Sequence, residues 1–355
     1  MSRFWSPHVR SLHPYTPGEQ PTGNDLLKLN TNESPFPPSE RVLEAVRSAT
    51  GTQLLRYPDP KAIELKQVIA KSAGLTSDQV FLGNGSDEVL AHVFHGLLAR
   101  GTGRLLLPDI SYSFYPVWCQ LYEIAFEKVP LRDDFSIGIE DYATDAASVL
   151  LANPNAPTCI ALPVSAIRSL LEASSDRLVI VDEAYVDYGA ESVVPLVNEF
   201  DNLLVVQTLS KSRALAGMRI GMAFGQQSLI EGLERVKDSF NSYPLDVLAQ
   251  LAGVAAVQDK DWLEESRSAV VRLRRQLSVD LEALGFRVLP SEGNFVFVEH
   301  PDMAGKDLFD RLRQEGIIVR RWDKPRIENF LRISVGTKEQ MQRLVAALEA
   351  ILTSR

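Results

Sequence analysis

The chain has 355 residues, 45% hydrophobic and 23% charged, enough for two domains or one large one and ordinary for a soluble globular enzyme. A formal net charge of -9 and the lack of any run of about eighteen apolar residues argue against a nucleic-acid binder, an anionic-membrane binder and a membrane span. Two cysteines, Cys119 and Cys159, give neither a disulfide framework nor a zinc set and fit a reducing cytoplasm, and the five histidines form no HExxH.

Met1 to Pro21 is rich in Pro, His and Ser, lacks the apolar core of a signal peptide, and reads as an extended arm. From about residue 78 to 225, short apolar runs alternate with helical segments. Strands are expected at Gln79–Leu82, Arg104–Leu107, Ser148–Leu151, Leu178–Val181, Leu203–Val206 and Arg219–Phe224, apolar throughout as suits strands covered on both faces. Helices are expected at Asp87–Ala99, Tyr112–Tyr122 and Val164–Ala173, and the alternation predicts an α/β domain with a mostly parallel sheet. His92 and His95 fall in the first of these helices, whose surroundings favour an ordinary helix over a metal pair.

Past Pro244 the composition changes. Leu245–Val257 reads as helix, and Trp262–Leu284 as a long charged amphipathic helix closed by Gly285. Strands at Phe286–Leu289, Asn294–Glu299, Ile317–Arg320 and Phe330–Ser334, with helices at Lys306–Gln314 and Lys338–Ile351, make a smaller α+β domain. The expected division is 1–45 as N-terminal arm and part of the small domain, 46–258 as the large domain, and 259–355 as the small C-terminal domain.

Ligands of open α/β sheets bind beyond the carboxyl ends of the strands, where this chain places polar residues repeatedly. Gly83-Asn84-Gly85-Ser86-Asp87 follows a strand and starts a helix. Gly85, Ser86 and Asp87 occupy its first turn, where free N–H groups and the macrodipole favour a phosphate. The Asp87 carboxylate is mildly unfavourable there, so the backbone of Gly85 and Ser86 is the better cradle, and a plain N-cap is the competing reading. Tyr112 can stack on a flat ring or pack in the core. Asn153-Pro154-Asn155-Ala156-Pro157 presents an amide rigidly, to a phenolic oxygen or merely as a loop.

Val179-Ile180-Val181-Asp182-Glu183 ends an apolar strand in acids, and a carboxylate there needs a cationic partner. A protonated pyridine nitrogen is one. A magnesium site of the nucleotide-hydrolase kind is the rival, but it needs a GxxxxGK[ST] motif that the chain lacks. Tyr185 can reach the oxygen of the same ring. Thr208-Leu209-Ser210-Lys211 supplies hydroxyls and an amine at the end of another strand, with Arg219 eight positions on. A lysine there suits a Schiff base beside a phosphate. Lysine, phosphate cradle, stacking tyrosine, ring-oxygen donor and ring-nitrogen acid together point to pyridoxal 5'-phosphate.

On these motifs the chain resembles the fold type I aminotransferases of class II, and among them the histidinol-phosphate aminotransferase family, over nearly its whole length. The resemblance implies a large domain with a seven-stranded, mostly parallel sheet. It implies Lys211 as the lysine bonded to the cofactor, Asp182 as partner of the ring nitrogen and Tyr185 as donor to the ring oxygen. Tyr112 is implied to stack on the ring, and Gly85, Ser86, Thr208, Ser210 and Arg219 to hold the phosphate. Arg56-Tyr57-Pro58-Asp59-Pro60 matches a segment whose tyrosine reaches the neighbouring subunit's cofactor, implying a homodimer with shared sites. Tyr15, Arg320 and Arg332 are implied to receive the substrate phosphate, and Lys28-Leu29-Asn30-Thr31-Asn32 resembles a substrate-side segment, making Asn32 a substrate-binding candidate. One departure stands out. The family asparagine that binds the ring oxygen is Ala156 here, and either Asn155 is the substitute or Tyr185 holds the oxygen alone.

The activity implied is transamination between L-histidinol phosphate and 2-oxoglutarate in histidine biosynthesis, with small-molecule substrates and no nucleic-acid or membrane partner. An aromatic amino acid aminotransferase, a threonine-phosphate-type decarboxylase and a non-enzymatic member are the alternatives.

Overall fold

The computed structural model describes residues 2–20, 25–49, 51–99, 103–142, 148–173 and 175–354. The ends of the N-terminal arm, Met1 and Pro21, lie outside the described residues. A seven-stranded sheet runs in spatial order Val80–Asn84, Ile220–Gly225, Leu203–Thr208, Leu178–Asp182, Ser148–Ala152, Leu105–Pro108 and Phe126–Val129. Only Ile220–Gly225 runs antiparallel to its neighbours; the other pairings are parallel.

Alternation along the central strands divides the core into two layers. Leu150, Ile180, Leu204 and Val206 face the layer that holds Val89, Trp118 and Leu233. Val149, Val179, Val181 and Val205 face the layer that holds Ile69, Ile167 and Ala252. Helices on both faces leave no wet side, which is why these strands read as unbroken apolar runs. Burying each such side chain contributes about 1.5–3 kcal/mol before conformational entropy is subtracted.

A second core gathers the C-terminal elements. Arg287–Val288, Phe295–Glu299 and Leu331–Ser334 form an antiparallel sheet, and Leu27–Lys28 pairs in parallel with Ile317–Ile318. Leu27 and Leu29 join Leu281, Leu308, Leu344 and Leu348 there. Val42, on the helix Glu40–Ser48, packs instead against the large-sheet core.

Several expected elements shift. The seventh strand, Phe126–Val129, has no apolar run because it is an exposed edge; its first three residues face solvent. The helix expected from Tyr112 begins at Tyr115, with Pro116 in its first turn, so Tyr112 lies in the preceding turn. The helix after Asn84 starts at Gly85 and gives way to a π turn at Phe94–Leu98. Arg219 is not in a strand; it caps a 3-10 turn in the left-handed region at φ 52°. The strand expected over Ile317–Arg320 is two residues long, with Arg320 rejoining Arg332 through an isolated antiparallel bridge. Among the described residues no helix is long and apolar enough to cross a membrane.

Candidate active site

Three adjacent parallel strands end in Ala152, Asp182 and Thr208, and Lys211 lies in the turn after the last. Between this edge and the arginine-bearing strand Leu331–Ser334 opens a cleft of about 1000 Å³, counted with the solvent at its mouth. Lys211, Asp182, Tyr185, Tyr112 and Arg219 line it together with Tyr15, Arg320 and Arg332.

Asp182 is buried, accepting a 2.7 Å hydrogen bond from the Tyr115 hydroxyl and a 3.2 Å bond from the Ala184 N–H. Burial pushes its carboxyl up to about 6, against the opposing pull of Tyr115. Among the described residues no cationic group hydrogen-bonds or pairs with it, although the Lys211 charge lies within electrostatic reach, so a buried acid faces the cleft without a bonded counter-charge. That fits a protonated ring nitrogen. Lys211 donates from Nζ to the Thr31 carbonyl at 3.1 Å and stands 5.7 Å from the centre of the Tyr185 ring.

The expected phosphate cradle depends on two glycines. Gly85 opens its helix at φ +83°, and a Cβ there would lie 2.4 Å from Arg219 Nη2. A Cβ on Gly221 would come within 2.3 Å of Gly85 C and Ser86 N. The arginine and the antiparallel strand thus press against the helix N-terminus, adding a guanidinium to free N–H groups. Ser210 N–H donates to Thr208 Oγ1 at 3.1 Å, bringing both hydroxyls beside this turn. The Asp87 carboxylate accepts from Tyr112 at 3.1 Å and pairs with Arg219 at 3.4 Å, so its charge is engaged sideways.

Two expected assignments are corrected. Asn155 is buried and does not line the cleft. Its amide donates to the Ile110 carbonyl at 2.9 Å and to Thr158 Oγ1 at 3.0 Å, and its oxygen accepts from Ser111 at 2.8 Å. Both amide hydrogens are engaged inside the protein, which turns the Asn155 amide away from the cleft, and Ala156 lines the cleft instead. Asn32 is also fully buried and is not among the residues that line the cleft; it donates from Nδ2 to the Tyr185 hydroxyl at 3.1 Å. Tyr57 is 82% exposed and stacked on Tyr243 at 4.7 Å, away from this chain's own cleft.

Among the described residues neither Arg320 nor Arg332 has a carboxylate partner. Arg332 donates to the Asn30 carbonyl at 2.7 Å, but its Nε is sealed from solvent without an acceptor. Burial, with Arg320 nearby, holds its pKa below the usual guanidinium range. Two uncompensated guanidinium groups facing one cleft suit an anion. Sequence reasoning missed two residues here. Tyr115, three positions past Tyr112, hydrogen-bonds Asp182, and Trp322, two past Arg320, lies 5.5 Å and 5.3 Å from the two guanidinium carbons. Nothing in local sequence separates either from a core aromatic.

A mostly parallel sheet with a lysine, a buried acid and an N-terminal helix cradle at its carboxyl edge defines a cofactor-dependent group-transfer enzyme. The chain belongs to the family of aminotransferases of class I and II, which it matches over residues 24–348. It is 57% identical to histidinol-phosphate aminotransferase 1 of Bradyrhizobium diazoefficiens, over 99% of this chain and 100% of that protein. It is 54% identical to the histidinol-phosphate aminotransferase of Acetobacter pasteurianus, over 100% and 99%. The solved histidinol-phosphate aminotransferase of Sinorhizobium meliloti in complex with pyridoxal-5'-phosphate matches with TM-score 0.90 at 25% identity, over 100% of this chain and 99% of that one.

Proposed function

We propose that this chain is a pyridoxal-phosphate-dependent aminotransferase exchanging the amino group of L-histidinol phosphate with 2-oxoglutarate, a step of histidine biosynthesis. The observation that carries this reading is a cleft joining Lys211 and a buried Asp182 to two arginines that have no carboxylate partner among the described residues. When bound, the cofactor supplies an aldehyde for Lys211 and an electron-withdrawing ring. Asp182 would hold the proton on the ring nitrogen, Tyr112 would pack on the ring, and Tyr185 would donate to the ring oxygen. Gly85, Ser86, Thr208, Ser210 and Arg219 hold its phosphate. Lys211 would hold the cofactor's aldehyde, and its free amine would carry the proton at the donor's Cα. Tyr15, Arg320 and Arg332 orient the donor's phosphate, and the same guanidinium forks accept the carboxylate of glutamate.

In this reading residues 46–258 bind the cofactor, while 1–45 and 259–355 supply the anion side. The enzyme acts as a cytoplasmic homodimer: Leu55, Tyr57 and Phe240 are 81%, 82% and 77% exposed, an apolar surface a second copy would cover while lending Tyr57 to its partner's phosphate. The arginine pair favours a phosphorylated donor over an aromatic amino acid. Arg320→Ala should weaken kcat/KM for histidinol phosphate at least tenfold more than for phenylalanine. Equal losses would remove the phosphate-clamp assignment, and release of carbon dioxide from threonine phosphate would favour a decarboxylase.

A further inference from the structure

The hydroxyl of Tyr185 can donate toward the cleft only if its own proton is not drawn elsewhere. The surrounding bonds settle where that proton goes. Asn32 donates from its backbone N–H to Ser334 Oγ at 2.9 Å, which occupies that oxygen as an acceptor. Ser334 therefore directs its own proton to Asn32 Oδ1, at 2.8 Å. With Oδ1 so fixed, Nδ2 of Asn32 faces Tyr185 and donates to its oxygen at 3.1 Å. A phenol whose oxygen accepts from an amide keeps its O–H for another partner, and the open side of Tyr185 is the cleft.

Asn32 itself is held at φ 57°, a left-handed conformation that asparagine tolerates, and its carbonyl accepts from Asn294 at 2.9 Å. Ser334 lies two residues past Arg332, so both side chains leave the same face of one strand. That strand thus reaches both the anion side and the tyrosine.

We infer that Ser334 and Asn32 form a polarity relay, with Asn32 a positioning residue that fixes Tyr185 as a donor to the cofactor's ring oxygen. The inference rests on the reading of Tyr185 given above and goes beyond it. The relay matters more in this chain because Ala156 offers no amide to that oxygen and Asn155 is turned away. The charged and titratable groups around Tyr185 are Lys211 over its ring, with Arg332, Tyr112, Tyr115 and Tyr188 within electrostatic reach.

The test reads the pH midpoint of the bound cofactor's visible absorbance in the holoenzyme. A donor to the ring oxygen favours its ionised form, so Tyr185→Phe should raise the midpoint, by roughly one pH unit. Asn32→Asp keeps shape and the Ser334 contact but substitutes an acceptor that captures the Tyr185 proton; it should raise the midpoint by a similar amount. In a Tyr185→Phe background Asn32→Asp should add nothing. Ser334→Ala, which frees the amide to turn, should give a smaller shift of the same sign. If Tyr185→Phe leaves the midpoint unmoved, the role of Tyr185 fails and the relay with it. If Tyr185→Phe shifts it but Asn32→Asp does not, or if Asn32→Asp shifts it equally without the tyrosine, the relay alone is overturned.

Discussion

Asp182 is where residue-scale physics makes the sharpest demand. Its carboxyl stands at about 6 in the fold against an ordinary 3.8, so between those values the folded chain binds more protons than the unfolded one. Its stabilising contribution is therefore full below about pH 4 and lost as pH rises through 6. At pH 8 the ionised, buried Asp182 should weaken the cofactor-free protein by about 2–3 kcal/mol. Asp182→Asn should raise the melting temperature of the cofactor-free protein at pH 8, with the gain shrinking as pH falls through 6, while lowering cofactor affinity. An unchanged melting temperature at pH 8 would contradict this account. Lys211→Ala should abolish borohydride fixation of cofactor to the protein, read by mass spectrometry. Asp182 was legible because it ends an apolar strand with a charge at the edge where ligands bind, and Lys211 because it lies in the polar turn just past the neighbouring strand. Asn155, Asn32 and Trp322 were not, because the direction in which an amide or indole points is decided by partners more than a hundred residues away in some cases, such as Ser334 for Asn32.

At the scale of elements, the packing of Ile220–Gly225 against the helix Gly85–Val93 fixes the cradle. Gly221→Ala would drive a methyl into backbone atoms that have no room to retreat, so a loss of about 1–3 kcal/mol is expected in urea unfolding, with cofactor affinity falling as well. A variant that unfolds at the wild-type urea concentration would show that the strand can back away. The parallel strands were readable because burial on both faces leaves a contiguous hydrophobic signature. The edge strand Phe126–Val129 was not, since its Phe-Glu-Lys-Val pattern carries no such signature and its partner Leu105–Pro108 supplies the order. The left-handed turn at Arg219 was equally hidden: a positive φ outside glycine follows from tertiary contacts, here the guanidinium lying against Gly85.

At the scale of the molecule, the exposed tyrosine and leucines near residue 57 predict sites shared between two copies. Tyr57→Ala and Lys211→Ala homodimers should each be impaired. Mixed and re-equilibrated in equal amounts, they should recover about a quarter of wild-type activity, because each mixed dimer holds one intact site. No recovery, with exchange of subunits verified by native mass spectrometry, would place Tyr57 outside the partner's site.

The bond between Asn32 and Ser334 joins residues 302 positions apart. At roughly 5–20 residues per second of synthesis, Leu27, Leu29 and Asn32 wait some 15–60 s on the ribosome before their strand partners exist. The catalytic edge of the large sheet can assemble much earlier, from segments already emerged. The nascent chain should therefore acquire its lysine-bearing half first and carry two bare leucines near its amino end until almost the last helix is made, a window in which chaperones, rather than sequence, protect the unfinished enzyme.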